Sequence, residues 1–209
     1  MGLEPTHNVG NRPVGRWVNA ISAAAFVIGG SLFAIGAVLA QADVGGPRLV
    51  AGVYLVGGVF FSTGGATGVW ASRGAAPPMQ LSALVLFAGT LVFAINLLDS
   101  FLGDLTPAQV DRLVWSPDVV GCALFLVSGH FAMVAISGTW LPCWRPRRLD
   151  WWIVAVNQLG SILFMVSAVA SFVRAEGDLI SIEIANWGTL TGALCFAVAG
   201  VLQEFERPD

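Results

Sequence analysis

The sequence predicts an all-α polytopic membrane protein, with six transmembrane helices arranged as three tandem helical hairpins. Three observations carry this expectation. Of 209 residues, 56% are hydrophobic and 11% are charged, whereas soluble domains carry about 25% charged residues. Six apolar runs recur, each of about 20 residues and so long enough to cross a hydrocarbon core roughly 30 Å thick. The phrase Gly-x-x-x-Phe occurs once in each run and nowhere else in the chain.

The elements follow in order. Residues 1–16 read as a polar cytoplasmic tail. The first apolar run, about 17–40, exceeds the 7–15 residues of a secretory h-region and reads as a span, not a cleaved leader, although "AIGAVLAQA" imitates a small-residue cleavage site. The second run, about 49–71, completes hairpin 1 over 17–71. "GAAPPMQ" at 74–80 is a Pro-rich break. Hairpin 2 covers 80–140, with runs at about 80–101 and 118–140. Between them, "LTPAQVDRLVW" predicts a short outer helix over about 106–115: Thr106 caps it, Pro107 suits the first turn, and Gln109 completes a capping box. "SPD" at 116–118 then reads as the start of the fourth span, with Ser116 as cap and Asp118 near the positive helix end. "LPCWRPRR" at 141–148 is a second Pro-rich break. Hairpin 3 covers 150–202, with runs at about 151–173 and 179–202, and 203–209 is a second cytoplasmic tail.

Charge gives the orientation. Every basic residue is Arg. With both termini inside, Arg12, Arg16, Arg73, Arg145, Arg147, Arg148 and Arg207 fall on inner segments, and only Arg48, Arg112 and Arg174 on outer ones. That bias obeys the positive-inside rule. Trp17, Trp70, Trp140, Trp144, Trp151 and Trp152 cluster at the same inner interface. The acids collect outside: Asp43, Asp99, Asp104, Asp111, Asp118, Glu176, Asp178 and Glu183. Arg145, Arg147 and Arg148 are candidates for contact with anionic headgroups, although topology alone calls for the same charges. Cys122, Cys143 and Cys195 offer no outer pair for a disulfide. With only His7 and His130 and no Cys-x-x-Cys, the spacing of a metal site is absent. No cofactor is expected, and no nucleic-acid partner, because three Arg beside one Trp make too small a surface.

The repeated phrase extends to a third small residue. The sets are Gly29/Phe33/Gly36, Gly57/Phe61/Gly64, Gly89/Phe93/Asn96, Gly121/Phe125/Ser128, Gly160/Phe164/Ser167 and Gly192/Phe196/Ala199. Positions i, i+4 and i+7 share one helix face. In lipid, helices associate by close packing where small residues admit a neighbour's backbone. The phrase therefore predicts a packing code: Gly and the third residue form a notch, and Phe fills the notch of a neighbour. Glycine faces such as Gly57 with Gly64 and Gly65 are candidates for a homo-oligomer contact.

A longer pattern recurs as Asn157-x-x-Gly160-x-x-x-Phe164-x-x-Ser167 and Asp118-x-x-Gly121-x-x-x-Phe125-x-x-Ser128. This phrase, twice per hairpin and with Asn157 or Asn186 just upstream, resembles the YrhK-like domain, a small bacterial module of two membrane helices. The resemblance is clearest over 150–202, fair over 80–140 and weakest over 17–71, where Asn19 stands too far from Gly29. It implies a multi-pass protein of the bacterial inner membrane built from tandem modules, and it implies no activity.

Intramembrane polar residues are the default functional candidates. His130, Asn157 and Gln158 fall at a shared depth in the inner half, where a hydrogen-bonded cluster is feasible. Asn186 is expected to tie hairpin 3 together and Glu183 to face water. Within the spans no second carboxylate shares a depth for acid/base work, no Asp completes a Ser-His pair beside His130, and the absence of Lys removes a phosphate loop. The mitochondrial carriers also have three two-helix repeats, but their Pro-acid-base signature is missing. The expectation is a non-enzymatic membrane module: an accessory or scaffold subunit, or a lipid-interacting protein, with lipids, a protein partner or a second copy as its contacts. The alternative is a small transporter or channel with a polar site near His130 and Asn157.

Overall fold

The computed structural model describes residues 13–141 and 144–206, with side chains from Arg16 onward. His7, Arg12, Cys143 and Arg207 lie outside the described residues. The helices are α1 (Pro13–Gln41), α2 (Gly46–Ala71), α3 (Pro77–Asp99), α4 (Pro107–Val110), α5 (Ser116–Ser137), α6 (Leu149–Ala170) and α7 (Ile182–Phe205). Among the described residues six helices are long and apolar enough to cross a membrane, and the fourth of these runs without a break over Pro107–Ser137. Isoleucine, leucine, valine and tryptophan side chains line their outward faces, as a bilayer solvent requires.

Several boundaries differ from those expected, each for a local reason. The fourth span ends at Ser137 because Gly138 adopts a left-handed φ of 72°, a conformation glycine accepts at a helix C-terminus. The fifth ends at Ala170, where 171–181 folds back on itself through Ile180 N–H to Phe172 O at 3.0 Å and Arg174 N–H to Asp178 O at 2.8 Å. The sixth begins only at Ile182, where the Ser181 hydroxyl accepts from Ile184 N–H.

Ser116 is not a cap, contrary to expectation. The capping box at Thr106 and Gln109 does start a helix, but that helix continues through a π turn, Asp111–Trp115, directly into α5. Pro117 explains the turn: it has no N–H to give to the carbonyl four residues back. The ladder shifts to the wider spacing, and Ser116 N–H bonds to Asp111 O. The turn is anchored laterally. Trp115 Nε1–H donates to Ala168 O at 2.7 Å, Asp111 Oδ1 accepts from Val173 N–H at 3.0 Å, and the Trp115 and Phe172 rings meet edge to face.

The spans form a closed ring in chain order. Each packs on its two sequence neighbours, and α1 packs on α7 as closely as hairpin partners pack on each other. The three hairpin turns gather at one end of the ring (the hairpin end), and the chain termini at the other (the terminal end). Within every hairpin the glycines and phenylalanines interlock. A Cβ on Gly29 would lie 2.6 Å from the Phe61 ring, and one on Gly57 would lie 3.0 Å from the Phe33 ring. Gly89 faces Phe125 and Gly121 faces Phe93, while Gly160 faces Phe196 and Gly192 faces Phe164.

The seam between α1 and α7 uses different residues. Gly30 lies under Ala193 and Ala197, and Gly200 under Ala23 and Val27. An amide clamp closes each end: Gln203 Nε2–H to Asn19 Oδ1 at 2.7 Å, and Asn186 Nδ2–H to Gln41 Oε1 at 3.0 Å. Asn186 thus ties α7 to α1, not to its hairpin partner as expected, because it lies on the flank of α7 that turns toward α1.

Candidate functional site

The six motif phenylalanines converge on the ring axis. Phe61 and Phe196 approach to 5.2 Å between centroids, Phe33 and Phe61 to 5.3 Å, Phe164 and Phe196 to 5.3 Å, and Phe33 and Phe93 to 5.6 Å. These are ordinary edge-to-face and offset-stacked separations. Every span donates one ring, so the cluster fills the middle of the bundle.

Beyond this cluster, toward the hairpin end, the ring surrounds a half-open cavity of about 250 Å³. Phe33, Phe93 and Phe164 form its floor. Tyr54, Asn96, Asp118, Ser167, Ser171, Asn186 and Thr189 bring polar groups to its walls, and among the described residues no basic side chain lines it. The π turn and Pro117 set Asp118 one step inside the helix, on the flank that faces the axis. Among the described residues its Oδ1 receives only the Cys122 thiol, at 3.7 Å. Asn96 is 7% exposed and makes no side-chain hydrogen bond among the described residues. By contrast, the Ser167 hydroxyl is committed to Ala185 O at 2.6 Å and to the Thr189 hydroxyl at 2.7 Å, and the Ser171 hydroxyl to Ala168 O. The unused hydrogen-bonding capacity therefore lies at Asp118, at Asn96, at Asn186 Oδ1, whose amide nitrogen alone is committed, and at Tyr54, whose ring stacks on Phe33 at 5.4 Å.

The expected cluster of His130, Asn157 and Gln158 does not form. His130 is exposed on the outer face of α5, with its ring near Phe131 and Trp140. It stands nine residues after Gly121, and at 3.6 residues per turn that places it half a turn from the axis-facing side. Gln158 instead bridges to α5, where its Nε2–H reaches Leu126 O at 3.4 Å beside Gly129. Its Oε1 is buried without a partner among the described residues. The Asn157 side chain bonds to neither of the other two. Asp118, expected at the start of a span, was the residue that sequence reasoning underrated. It stands three before Gly121 as Asn157 stands three before Gly160, a position on the motif's flank.

The third motif residues divide by depth. Gly36 lies under the Tyr54 ring and Gly64 under Phe26. Ser128 and Ser82 exchange hydroxyl-to-carbonyl bonds at 2.9 Å each way, Ala199 is buried, and Asn96 and Ser167 line the cavity. Gly57, Gly64 and Gly65 offer no free dimer face, because Phe33, Phe26 and Phe87 already cover them. Of the three clustered arginines, Arg145 donates to Ile136 O and Ser137 O at the end of α5, and Arg148 pairs with Asp150. Arg147 is exposed. For this arrangement of ring, seal and cavity, neither a family model, nor a curated protein, nor a solved structure matches the chain.

Proposed function

We propose that the chain is a non-enzymatic module of a bacterial inner membrane, with both termini cytoplasmic, serving as an accessory or scaffold subunit or a lipid-interacting protein. The observation that carries this reading is the phenylalanine cluster: six rings, one from each span, occupy the axis that a conduit would need. Three successive hairpins, each with its own reciprocal Gly–Phe lock, also support kinship with the YrhK-like two-helix module. Trp17, Trp70, Trp140 and Trp144 are exposed toward the terminal end, which suits the cytoplasmic headgroup level. Arg147 there is the arginine best placed for an anionic headgroup.

Native mass spectrometry of the protein extracted with its surrounding lipid tests the proposal. A second polypeptide in the particle supports the accessory role, and a lone chain retaining lipid supports the lipid role. Sustained solute flux through purified wild-type chain in vesicles overturns both. The cavity favours a second reading, a small transporter whose polar site is Asp118 and Asn96 in place of His130 and Asn157. That reading requires flux that Asp118→Asn abolishes. On the first reading, wild-type vesicles stay tight, and only truncating the seal, as in the double variant Phe61→Ala/Phe196→Ala, produces a leak.

A further inference from the structure

We propose that the hairpin-end cavity binds a small primary ammonium ion, held by the Asp118 carboxylate and the Asn96 carboxamide oxygen against the aromatic faces of Tyr54 and Phe33. The site stands whether the module serves a protein partner or lipid.

Four features point to this chemistry. Asn96 is more than nine-tenths buried, faces the cavity and has no hydrogen-bond partner among the described residues. Its carboxamide atoms keep contact with the cavity space, so they are free to bond an occupant. Asp118 supplies one carboxylate, with a thiol as its sole side-chain partner among the described residues. An ammonium group has three donors and no acceptor, so it complements a carboxylate and an amide oxygen together. The stacked Tyr54 and Phe33 rings also line the cavity, and aromatic faces attract cations.

Other occupants fit less well. An anion would meet the Asp118 carboxyl and no basic residue. A hard metal ion takes about 6–8 oxygen ligands, but the floor here is phenylalanine carbon. At about 250 Å³ the cavity falls below the roughly 300–1,000 Å³ of drug-sized pockets, so the occupant is small. The approach is charged to match. Asp99, Asp104, Glu176, Asp178 and Glu183 surround the hairpin end in excess over Arg48, Arg112 and Arg174, and such a field draws cations toward the mouth.

The ammonium group has two sources, a free amine or an aminolipid headgroup, and ethanolamine probes both. The full chain carrying Ser171→Cys is placed in phosphatidylglycerol vesicles, and maleimide labelling at position 171 is followed by mass spectrometry. If the source is a free amine, ethanolamine slows labelling at least tenfold and sodium acetate does not. If it is a headgroup, phosphatidylethanolamine in the vesicle slows labelling and free ethanolamine does not. In either case Asp118→Asn weakens the protection at least tenfold, while Glu204→Gln at the exposed end of α7 leaves it unchanged. Asn96→Leu, with its thermal midpoint measured alongside, gives the same answer if Asp118→Asn fails to fold. Protection by neither source, or protection that survives both Asp118→Asn and Asn96→Leu in folded protein, overturns the proposal.

Discussion

At the scale of single residues, the missing Cβ atoms of Gly30 and Gly200 set how closely α1 and α7 approach. A Cβ on Gly30 would stand 2.7 Å from Ala193 O, and one on Gly200 would stand 2.9 Å from Ala23 O. Both neighbours are backbone and cannot swing aside. Gly30→Ala is therefore expected to destabilise by about 1–3 kcal/mol, the usual cost of overpacking. Gly52→Ala, with nothing within 4 Å, should be neutral or stabilising by under about 1 kcal/mol. Unfolding of both variants in mixed detergent micelles checks the contrast. The Ser82–Ser128 exchange is a second test. Each hydroxyl donates to a backbone carbonyl that alanine keeps, so Ser82→Ala and Ser128→Ala should each cost about 0.6 kcal/mol, typical of interhelical hydrogen bonds in membranes, and add nearly independently in the double variant. Residue identity was more legible than residue facing. The motif glycines announced their role because all six share one spacing. His130 misled because its polarity drew attention while its angular offset from Gly121 turned it outward. Asp118 was read as an acid near the positive end of a helix, and the angular position that turns it inward went unweighed.

At the scale of elements, the π turn decides where Asp118 points. Pro117 forces one hydrogen bond to a wider register, and Trp115 and Asp111 then fasten the turn to the end of α6. Trp115→Phe keeps the ring packing on Phe172 and removes the bond to Ala168 O. It should cost about 1 kcal/mol, read from the thermal midpoint in detergent. Asp111→Ala leaves Val173 N–H without its acceptor, so amide exchange at Val173 should quicken while that of the α7 core stays slow. The capping box at Thr106 was legible because its spacing is local. The π turn was not, since a Pro after Ser looks the same at a helix start and inside a helix. Only the packing of Trp115 against α6 chooses between them.

At the scale of the whole molecule, three locked hairpins become a ring because the first helix meets the last. Hairpin count and span count were readable from apolar run length. Closure was not, because Gly30, Gly200, Asn19 and Gln203 lie outside the repeated phrase and become neighbours only in three dimensions. The contact between α2 and α3 is looser than the seam, and this predicts where the chain tolerates a cut. A circular permutant that begins at Gly74, ends at Arg73 and joins the former termini by a flexible linker should insert and unfold within a few degrees of the parent. A permutant opened inside hairpin 3, between Gly177 and Asp178, should be worse because it frees the 171–181 fold that anchors Asp111.

The seam also has a consequence for biosynthesis. The partner that covers Gly30 on α1 is the last of these six spans to leave the ribosome. Until it arrives, α1 presents its narrow alanine and glycine strip to the bilayer while the other hairpins assemble beside it. Nothing in that strip distinguishes the chain's own α7 from the α7 of a neighbour made on the same polysome. Ring closure is thus a race between self-completion and exchange of the final helix between two copies. The amide pairs Asn19–Gln203 and Gln41–Asn186 form equally well in either product, so the short 171–181 connection, which tethers α7 beside α6, decides which one the cell makes.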